Sequence, residues 1–375
     1  MPHRLVKKRK PVRGFLVALP LIVAYFFLFP HPLGREVVLR TRWRVALPGE
    51  GAPVDGRAHT VAASGVAPFQ LGDLYGFVTP DGALASLERT PFRVALSRRG
   101  AIAFARLGGT WVLDGPSGQA LATFSGDGYP LLDPGGDRLF LVKTDLTGLR
   151  ELDEGGEPAW TRDFPSMITS LAIAGDWIVA GTLDGSVALV DRQGAVAFTD
   201  APAGSRIPAT FGVAVTADGE RLAAVTGIGP QQLQIWHRTR DGYAASVRVP
   251  LGTDFRREVR IAFAPDGRSL ACEAVDGVVV VAVATGDRRL VPLRGRVTGM
   301  VPLAAARGRS SAWVTAARDG EVATLVAALP DGSVIAREPL GSRGGGPDSP
   351  WLGISGDTVI VAFAGSLVGL GLEAR

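Results

Sequence analysis

Residue types that often carry chemistry are scarce in this chain of 375 residues. It has one cysteine, four histidines and no asparagine. A single cysteine excludes a disulfide framework, a cysteine-based zinc site and a CxxC redox centre. The scattered histidines leave little for a metal site or a catalytic triad. Without asparagine, the chain has no Asn-Gly turns and no N-glycosylation sites.

The sequence motifs of common enzyme classes are also absent. HExxH, GxxxxGK[ST], GxSxG and an EF-hand loop do not occur. Lys143 is the only lysine beyond the N-terminal tail, and we expect it to be solvated. His237 follows a strand-like stretch and is expected at the surface, whereas Cys272 lies in an apolar stretch and is expected to be buried. We therefore predict no catalytic residue, no metal ligand and no cofactor.

Charge is distributed unevenly along the chain. The formal net charge is +4, but residues 1–34 hold six basic residues and no acidic one. The rest of the chain has 34 basic and 36 acidic residues. Because nucleic-acid binding needs a basic face on the folded domain itself, we expect no nucleic-acid partner.

An uncharged apolar run follows this basic tail. Residues 14–30 read GFLVALPLIVAYFFLFP, and a helix extended to residue 33 approaches the ~30 Å thickness of a bilayer core. The positive-inside rule then predicts a cytoplasmic tail over 1–13, a transmembrane anchor over 14–33 and an extracytoplasmic domain over 35–375. This describes a single-pass protein of the cytoplasmic (inner) membrane, with its domain in the periplasm or outside. A cleaved signal peptide has the same basic-then-apolar pattern and is the alternative.

Beyond residue 37, short apolar runs alternate with turns rich in glycine and aspartate. Segments 72–88, 175–191 and 356–373 share one template, which is a Gly-Asp turn, an apolar strand, a glycine-containing turn and a second apolar strand. We count eight strand-turn-strand cores, and dividing the domain into eight gives about 43 residues per repeat, which is typical of propeller blades. The sequence therefore predicts an all-β, eight-bladed β-propeller, with a seven-bladed ring as the alternative.

Two sets of segments resemble known propeller repeats. FAPDGRSLA (263–271) and VTADGERLAAV (215–225), the latter followed by LQIW (233–236), resemble WD40 and TolB-type repeats. Residues 159–194 resemble a quinoprotein-type (PQQ-like) repeat, as in outer-membrane assembly lipoproteins of the BamB kind. The matching positions are Trp160, Asp184, Gly185, Val187, Leu189, Asp191 and Gly194. This superfamily-level resemblance implies the fold but not the quinone cofactor, since no motif supplies its metal and carboxylate pocket.

The ring is expected to close through its two ends. Three strand-like segments, 351–354, 358–362 and 367–372, form an incomplete last repeat. Residues 37–47 alternate between apolar and basic side chains, which is the pattern of a half-buried strand. We therefore predict that residues 35–47 contribute the outer strand of the last blade.

Two classes of function fit these observations. The first is a non-catalytic scaffold in the cell envelope that binds protein partners through the loops of the propeller. The alternative is a propeller enzyme or small-ligand sensor with a site in the central channel. Arginine is common at protein interfaces. We predict that Arg256-Arg257 and Arg288-Arg289 occupy comparable turns of adjacent repeats and form one partner-binding patch.

Overall fold

A computed structural model describes residues 37–49, 52, 54, 65–105, 108–136, 138–305, 309–340 and 349–374. Every regular element within them is a β-strand. Residues 39–372 form one compact unit, and the few described residues outside it are ends of two strands. The predicted tail and anchor lie outside the described residues. Within the described ranges, no helix is long and apolar enough to cross a membrane.

The strands form eight antiparallel sheets, numbered as blades in chain order. Blade 1 has three described strands, β2 (Ala67–Leu71), β3 (Leu74–Val78) and β4 (Leu84–Arg89). Blade 2 comprises β5 (Arg93–Leu96), β6 (Ala101–Phe104), β7 (Gly109–Asp114) and β8 (Ala120–Gly126). Blade 3 comprises β9 (Tyr129–Leu132), β10 (Leu139–Val142), β11 (Gly148–Leu152) and β12 (Pro158–Asp163). Blade 4 comprises β13 (Ile168–Ala174), β14 (Trp177–Thr182), β15 (Val187–Val190) and β16 (Val196–Asp200).

The second half of the chain continues the same pattern. Blade 5 comprises β17 (Ile207–Val215), β18 (Arg221–Ile228), β19 (Gln232–Thr239) and β20 (Gly242–Pro250). Blade 6 comprises β21 (Ile261–Phe263), β22 (Ser269–Ala274), β23 (Gly277–Ala282) and β24 (Arg288–Pro292). Blade 7 comprises β25 (Arg296–Ala305), β26 (Arg309–Asp319), β27 (Val322–Ala328) and β28 (Val334–Leu340). Blade 8 comprises β29 (Trp351–Ser355), β30 (Thr358–Phe363), β31 (Ser366–Ala374) and β1 (Val37–Ala46).

The hydrophobic core lies between the blades. Buried side chains form eight clusters, and each cluster joins two neighbouring blades. One cluster joins blade 8 to blade 1 through Phe69 and Ile360, and another joins blade 1 to blade 2 through Phe77 and Ala101. The packing therefore runs around a closed ring of eight blades, which confirms the eight-bladed prediction over the seven-bladed alternative.

Strand β1 closes the ring, as predicted. It pairs with β31 and supplies the outer strand of blade 8. Arg42 of β1 donates to Asp357 Oδ2 at 2.7 Å, and this guanidinium holds the pKa of Asp357 below its ordinary value. The Trp43 indole donates to the carbonyl of Pro80 in blade 1 at 2.8 Å. Leu39, Trp43 and Val45 on one side of the strand are half-buried, whereas Thr41 on the same side is exposed.

Candidate interaction surface

The turns of the ring lie on two opposite faces. In a sheet of four sequential antiparallel strands, the first and third turns lie at one end. The second turn and the connection to the next sheet lie at the other. We call the first end the hairpin face, which includes turns 133–136, 153–157, 175–176, 191–195, 216–220, 240–241, 283–287 and 329–333. We call the second end the linker face, which includes connections 90–92, 164–167, 201–206, 251–260 and 293–295, and turns 183–186, 229–231, 275–276 and 320–321.

Large apolar side chains are exposed on the linker face. They are Phe92, Met167, Leu183, Ile207, Val275 and Val322. The remaining exposed ones lie on third or fourth strands of their sheets, at Val112, Leu121, Val196, Leu290 and Val334. Two of these, Val196 and Val334, begin strands directly after hairpin-face turns, so in the described ranges the linker face has more exposed large apolar side chains than the hairpin face. A contiguous exposed apolar patch, in contrast to scattered single side chains, is typical of a surface that binds another molecule.

Three of these side chains form one apolar patch, Met167, Leu183 and Ile207. The Leu183 amide donates to the carbonyl of Met167 at 2.8 Å, which brings the two residues together. In the same turn, Gly185 has a φ of +88°, and a Cβ there would lie 2.9 Å from Cβ of Pro208, the neighbour of Ile207. The patch therefore spans blades 4 and 5 on a firmly held turn.

The surface beside the patch continues toward blade 6. The Arg206 amide donates to the carbonyl of Gly229 at 3.2 Å. The Gly229 amide in turn donates to Oδ1 of Asp254 at 2.8 Å. Connection 201–206, turn 229–231 and connection 251–260 are thus linked side by side.

Buried polar groups hold connection 251–260 in place. Gln231 is fully buried, and its Oε1 accepts a hydrogen bond from Oγ1 of Thr253 at 2.6 Å. Its Nε2 donates to the carbonyl of Phe255 at 3.0 Å. A connection that is ordered before binding loses less conformational entropy when a partner docks on it.

An ion pair fastens the same connection from its other end. The Arg257 guanidinium donates to both carboxylate oxygens of Glu273, at 2.9 and 2.7 Å, and this bond raises the pKa of Arg257. Glu273 is 1% exposed and also accepts the amide of Val297 in blade 7 at 3.1 Å. The Arg257 guanidinium lies 4.5 Å from the ring centroid of Phe255. Arg257 is thus held by the fold, and its neighbour Arg256 is left exposed on the linker face.

The predicted arginine patch needs a correction. Arg256 and Arg257 lie in a blade-to-blade connection, whereas Arg288 and Arg289 begin strand β24. The expectation that they occupy comparable turns is wrong. The reason is that turn 283–287 closes through a hydrogen bond from the Ala282 amide to the Asp287 carbonyl, so the fourth strand starts at the next residue.

Arg288 contacts the strand that leads into the connection holding Arg256 and Arg257. Arg288 Nη1 donates to the carbonyl of Pro250 at 2.9 Å, directly before connection 251–260. Hydrogen bonds from Ser333 lower the pKa of the Asp331 carboxyl, and the nearby Arg289 lowers it further. Whether these arginines bind a partner stays a prediction.

Aspartates of the hairpin face hold their own turns. Oδ1 of Asp218 accepts the Thr216 hydroxyl at 2.5 Å and the Glu220 amide at 3.0 Å. The Thr216 bond is the largest cause of the lowered pKa of Asp218. Such side chains cap backbone donors in tight turns. In the ranges that the structure describes, no group of three or more His, Cys, Asp or Glu is arranged to hold a metal ion.

The other residues considered from sequence lie largely where expected. His237 is exposed at the end of β19, and Cys272 is fully buried, which raises the pKa of its thiol. Lys143 is half-buried and ion-paired with the exposed Asp163, so it is only partly solvated.

Sequence reasoning missed the buried ion pairs. In blade 3, Arg138 is almost fully buried and donates to Glu151 at 3.0 and 2.6 Å. Glu273 stands inside the apolar run SLACEA, and an acid in such a run is a signal of a buried pair. The identity of its partner carries no sequence signal, because Arg257 lies in an irregular connection.

A closed ring of eight antiparallel sheets defines the protein as a β-propeller. A family model described as "beta-propeller protein" matches residues 5–306, and the chain belongs to this family. A curated relative from Treponema pallidum (strain Nichols), described as an uncharacterized protein, is 25% identical over 301 residues. The match covers 78% of this chain and 79% of that protein.

Solved structures share the fold at low sequence identity. BamB from Moraxella catarrhalis superposes with a TM-score of 0.57 at 15% identity, covering 89% of this chain and 100% of that one. Hsv2 from Kluyvelomyces marxianus superposes with a TM-score of 0.53 at 10% identity, covering 72% and 93% respectively. These likenesses confirm the propeller architecture.

Proposed function

We propose that this β-propeller is a non-catalytic scaffold of the cell envelope that binds a protein partner through its linker face. The observation that carries the proposal is the exposed apolar patch of Met167, Leu183 and Ile207. Apolar anchors surrounded by polar and arginine side chains are the composition of protein interfaces.

Charge alone does not distinguish the two faces. Acidic residues occur in most hairpin-face turns, among them Asp153, Asp176, Asp191, Asp218, Asp266, Asp287 and Asp331. Exposed arginines lie in some of the same turns, at Arg192, Arg240 and Arg268. The linker face differs because its charges of both signs surround exposed apolar groups, which suits a complementary protein surface.

The proposed location is the cytoplasmic membrane. The basic tail and the apolar run 14–33 support a single-pass anchor with the N-terminus inside and the propeller in the periplasm or outside. An anchored scaffold meets partners embedded in or tethered to the same membrane. If the anchor is uncleaved, the mature protein starts near Met1 and external protease digests the propeller in intact cells. A mature N-terminus near residue 35 would refute the anchor and leave export intact.

The interaction itself is tested with the full-length chain. Chemical cross-linking in intact cells, followed by purification, should give a defined adduct for the wild type. The Met167→Glu/Leu183→Glu variant should lose that adduct while its melting temperature stays unchanged. A matched Leu121→Glu/Leu290→Glu variant carries the same added charge on outer strands and should still form the adduct. Stoichiometric metal or quinone in the purified protein, or enzyme-like turnover of a small molecule, would overturn the proposal in favour of a channel site.

A further inference from the structure

A groove opens between blades 6 and 7 on the linker face. Its volume is about 770 Å³, within the range of natural ligand sites. It is lined by turn 275–276 and connection 293–295 of blade 6, and by residues of β26, β27 and β28 in blade 7. It lies apart from the apolar patch, which belongs to blades 4 and 5.

Close backbone contacts shape this groove. Gly295 has a φ of +89°, and a Cβ there would lie 2.2 Å from the carbonyl oxygen of Arg318. The Leu293 amide donates to the carbonyl of Asp276 at 2.9 Å. Arg337 of β28 donates to the carbonyl of Pro292 at the end of β24. The two blades are therefore joined around the groove.

Charged groups of both signs line the groove beside apolar surface. Asp276, Arg294 and Asp319 lie in its lining, and their side chains have no hydrogen-bond or ion-pair partner among the described residues. The apolar part includes Val275, which is 57% exposed, and Pro339. The lining thus combines charges of both signs with apolar surface, which is complementary to a peptide segment that carries the same kinds of groups.

We propose that this groove binds an extended peptide segment of a partner protein that carries a basic and an acidic side chain around an apolar one. The basic side chain pairs with Asp276 or Asp319, and the acidic one pairs with Arg294, whose planar guanidinium matches a carboxylate. The apolar side chain packs on Val275. The proposal extends the proposed scaffold function with a second contact of defined chemistry, and it rests on that function only for the protein nature of the ligand.

The test uses a random 12-residue peptide library displayed on phage and panned on the full-length chain in detergent. Enriched peptides should share a basic residue, an apolar residue and an acidic residue. A synthetic copy should bind the charge-swapped Arg294→Asp/Asp319→Arg variant about 10-fold more weakly, or worse, in fluorescence anisotropy. The Arg240→Asp/Asp241→Arg variant makes the same swap in an exposed hairpin-face turn and should bind like the wild type.

Three results would overturn the groove assignment. They are enriched peptides without charged residues, equal binding to both swapped variants at unchanged melting temperature, and a free amino acid that binds as tightly as the peptides. The Leu183→Glu variant separates this proposal from the scaffold function. This variant should still bind the synthetic peptide with wild-type affinity, even if it no longer forms the cross-linked adduct in cells.

Discussion

The two carboxylate oxygens of Glu273 each accept a hydrogen bond from the Arg257 guanidinium, although the two residues lie 16 positions apart and in different kinds of structure. Glu273 is in a central strand of blade 6, whereas Arg257 is in the connection from blade 5. The same carboxylate accepts the Val297 amide of blade 7. One buried acid therefore holds the connection on the linker face and also joins two blades.

Removing Arg257 should leave that carboxylate buried without its cation. We expect Arg257→Ala to lower the free energy of unfolding by about 2–4 kcal/mol, since breaking one side of a buried pair costs several kcal/mol and this arginine is partly exposed. Arg256→Ala changes the exposed neighbour and should alter stability by less than about 0.5 kcal/mol. Urea denaturation of both variants measures the difference, and equal stabilities would show that the pair does not hold the connection.

Gly82 should be needed because Trp43 packs on it. Its φ is +93°, and a Cβ would lie 2.7 Å from the indole ring. Gly118 has a φ of +77° with nothing within 4 Å of such a Cβ, so it serves as the control. Gly118→Ala should cost about 1–2 kcal/mol from backbone strain alone. Gly82→Ala should cost clearly more in thermal unfolding, because steric overlap adds to the strain, and an equal cost would mean that β1 does not pack against blade 1.

Trp43 itself joins the first strand of the chain to two blades. Gly369 of blade 8 also lies against its indole, where a Cβ would come within 2.2 Å. Because the ring is half-buried, Trp43→Ala should lower the free energy of unfolding by about 2–3 kcal/mol, below the ~3–5 kcal/mol of a fully buried aromatic. Trp160→Ala removes the comparable contact with Gly194 between blades 3 and 4 and should cost a similar amount. A harmless Trp43→Ala would contradict closure through β1.

The turn carboxylates predict a pH dependence of stability. The pKa of Asp218 is lowered in the folded protein, mainly by the Thr216 hydroxyl. A lowered folded pKa contributes stability above the unfolded value of about 3.9, and this contribution is lost as the pH falls through the folded pKa. Asp218→Asn should thus be less stable than the wild type at pH 6, and the difference should shrink toward pH 3. In a Thr216→Val background the effect of Asp218→Asn at pH 6 should be smaller, and an effect independent of pH and of Thr216 would refute the cap.

The architecture was predictable because its signals are local and repeated. Asp-Gly turns and apolar runs recur at the length of a blade, so the number of blades follows from the period. The alternating pattern of residues 37–47 predicted the closing strand, which the structure places at Val37–Ala46. The predicted domain boundaries near the N-terminus and the membrane anchor stay predictions.

The interaction surface was harder to predict, since its features depend on contacts between distant segments. Arg256 and Arg257 are adjacent in sequence, yet one is exposed and the other pairs with Glu273. No local pattern distinguishes them in an irregular connection. Likewise, Met167 and Leu183 lie in two separate connecting segments and Ile207 begins strand β17, and only the folded ring brings them to one patch.

The central claim is that the linker face binds a protein partner. The most direct test places a photo-activatable amino acid at position 183 or 290 of the full-length chain, irradiates intact cells and compares the adducts. Leu183 and Leu290 have similar exposure, 51% and 46%, but lie on the linker face and on an outer strand. We predict a defined protein adduct from position 183 that Met167→Glu abolishes, and none from position 290. Adducts from position 290 alone, or adducts from position 183 that survive Met167→Glu, would contradict the account.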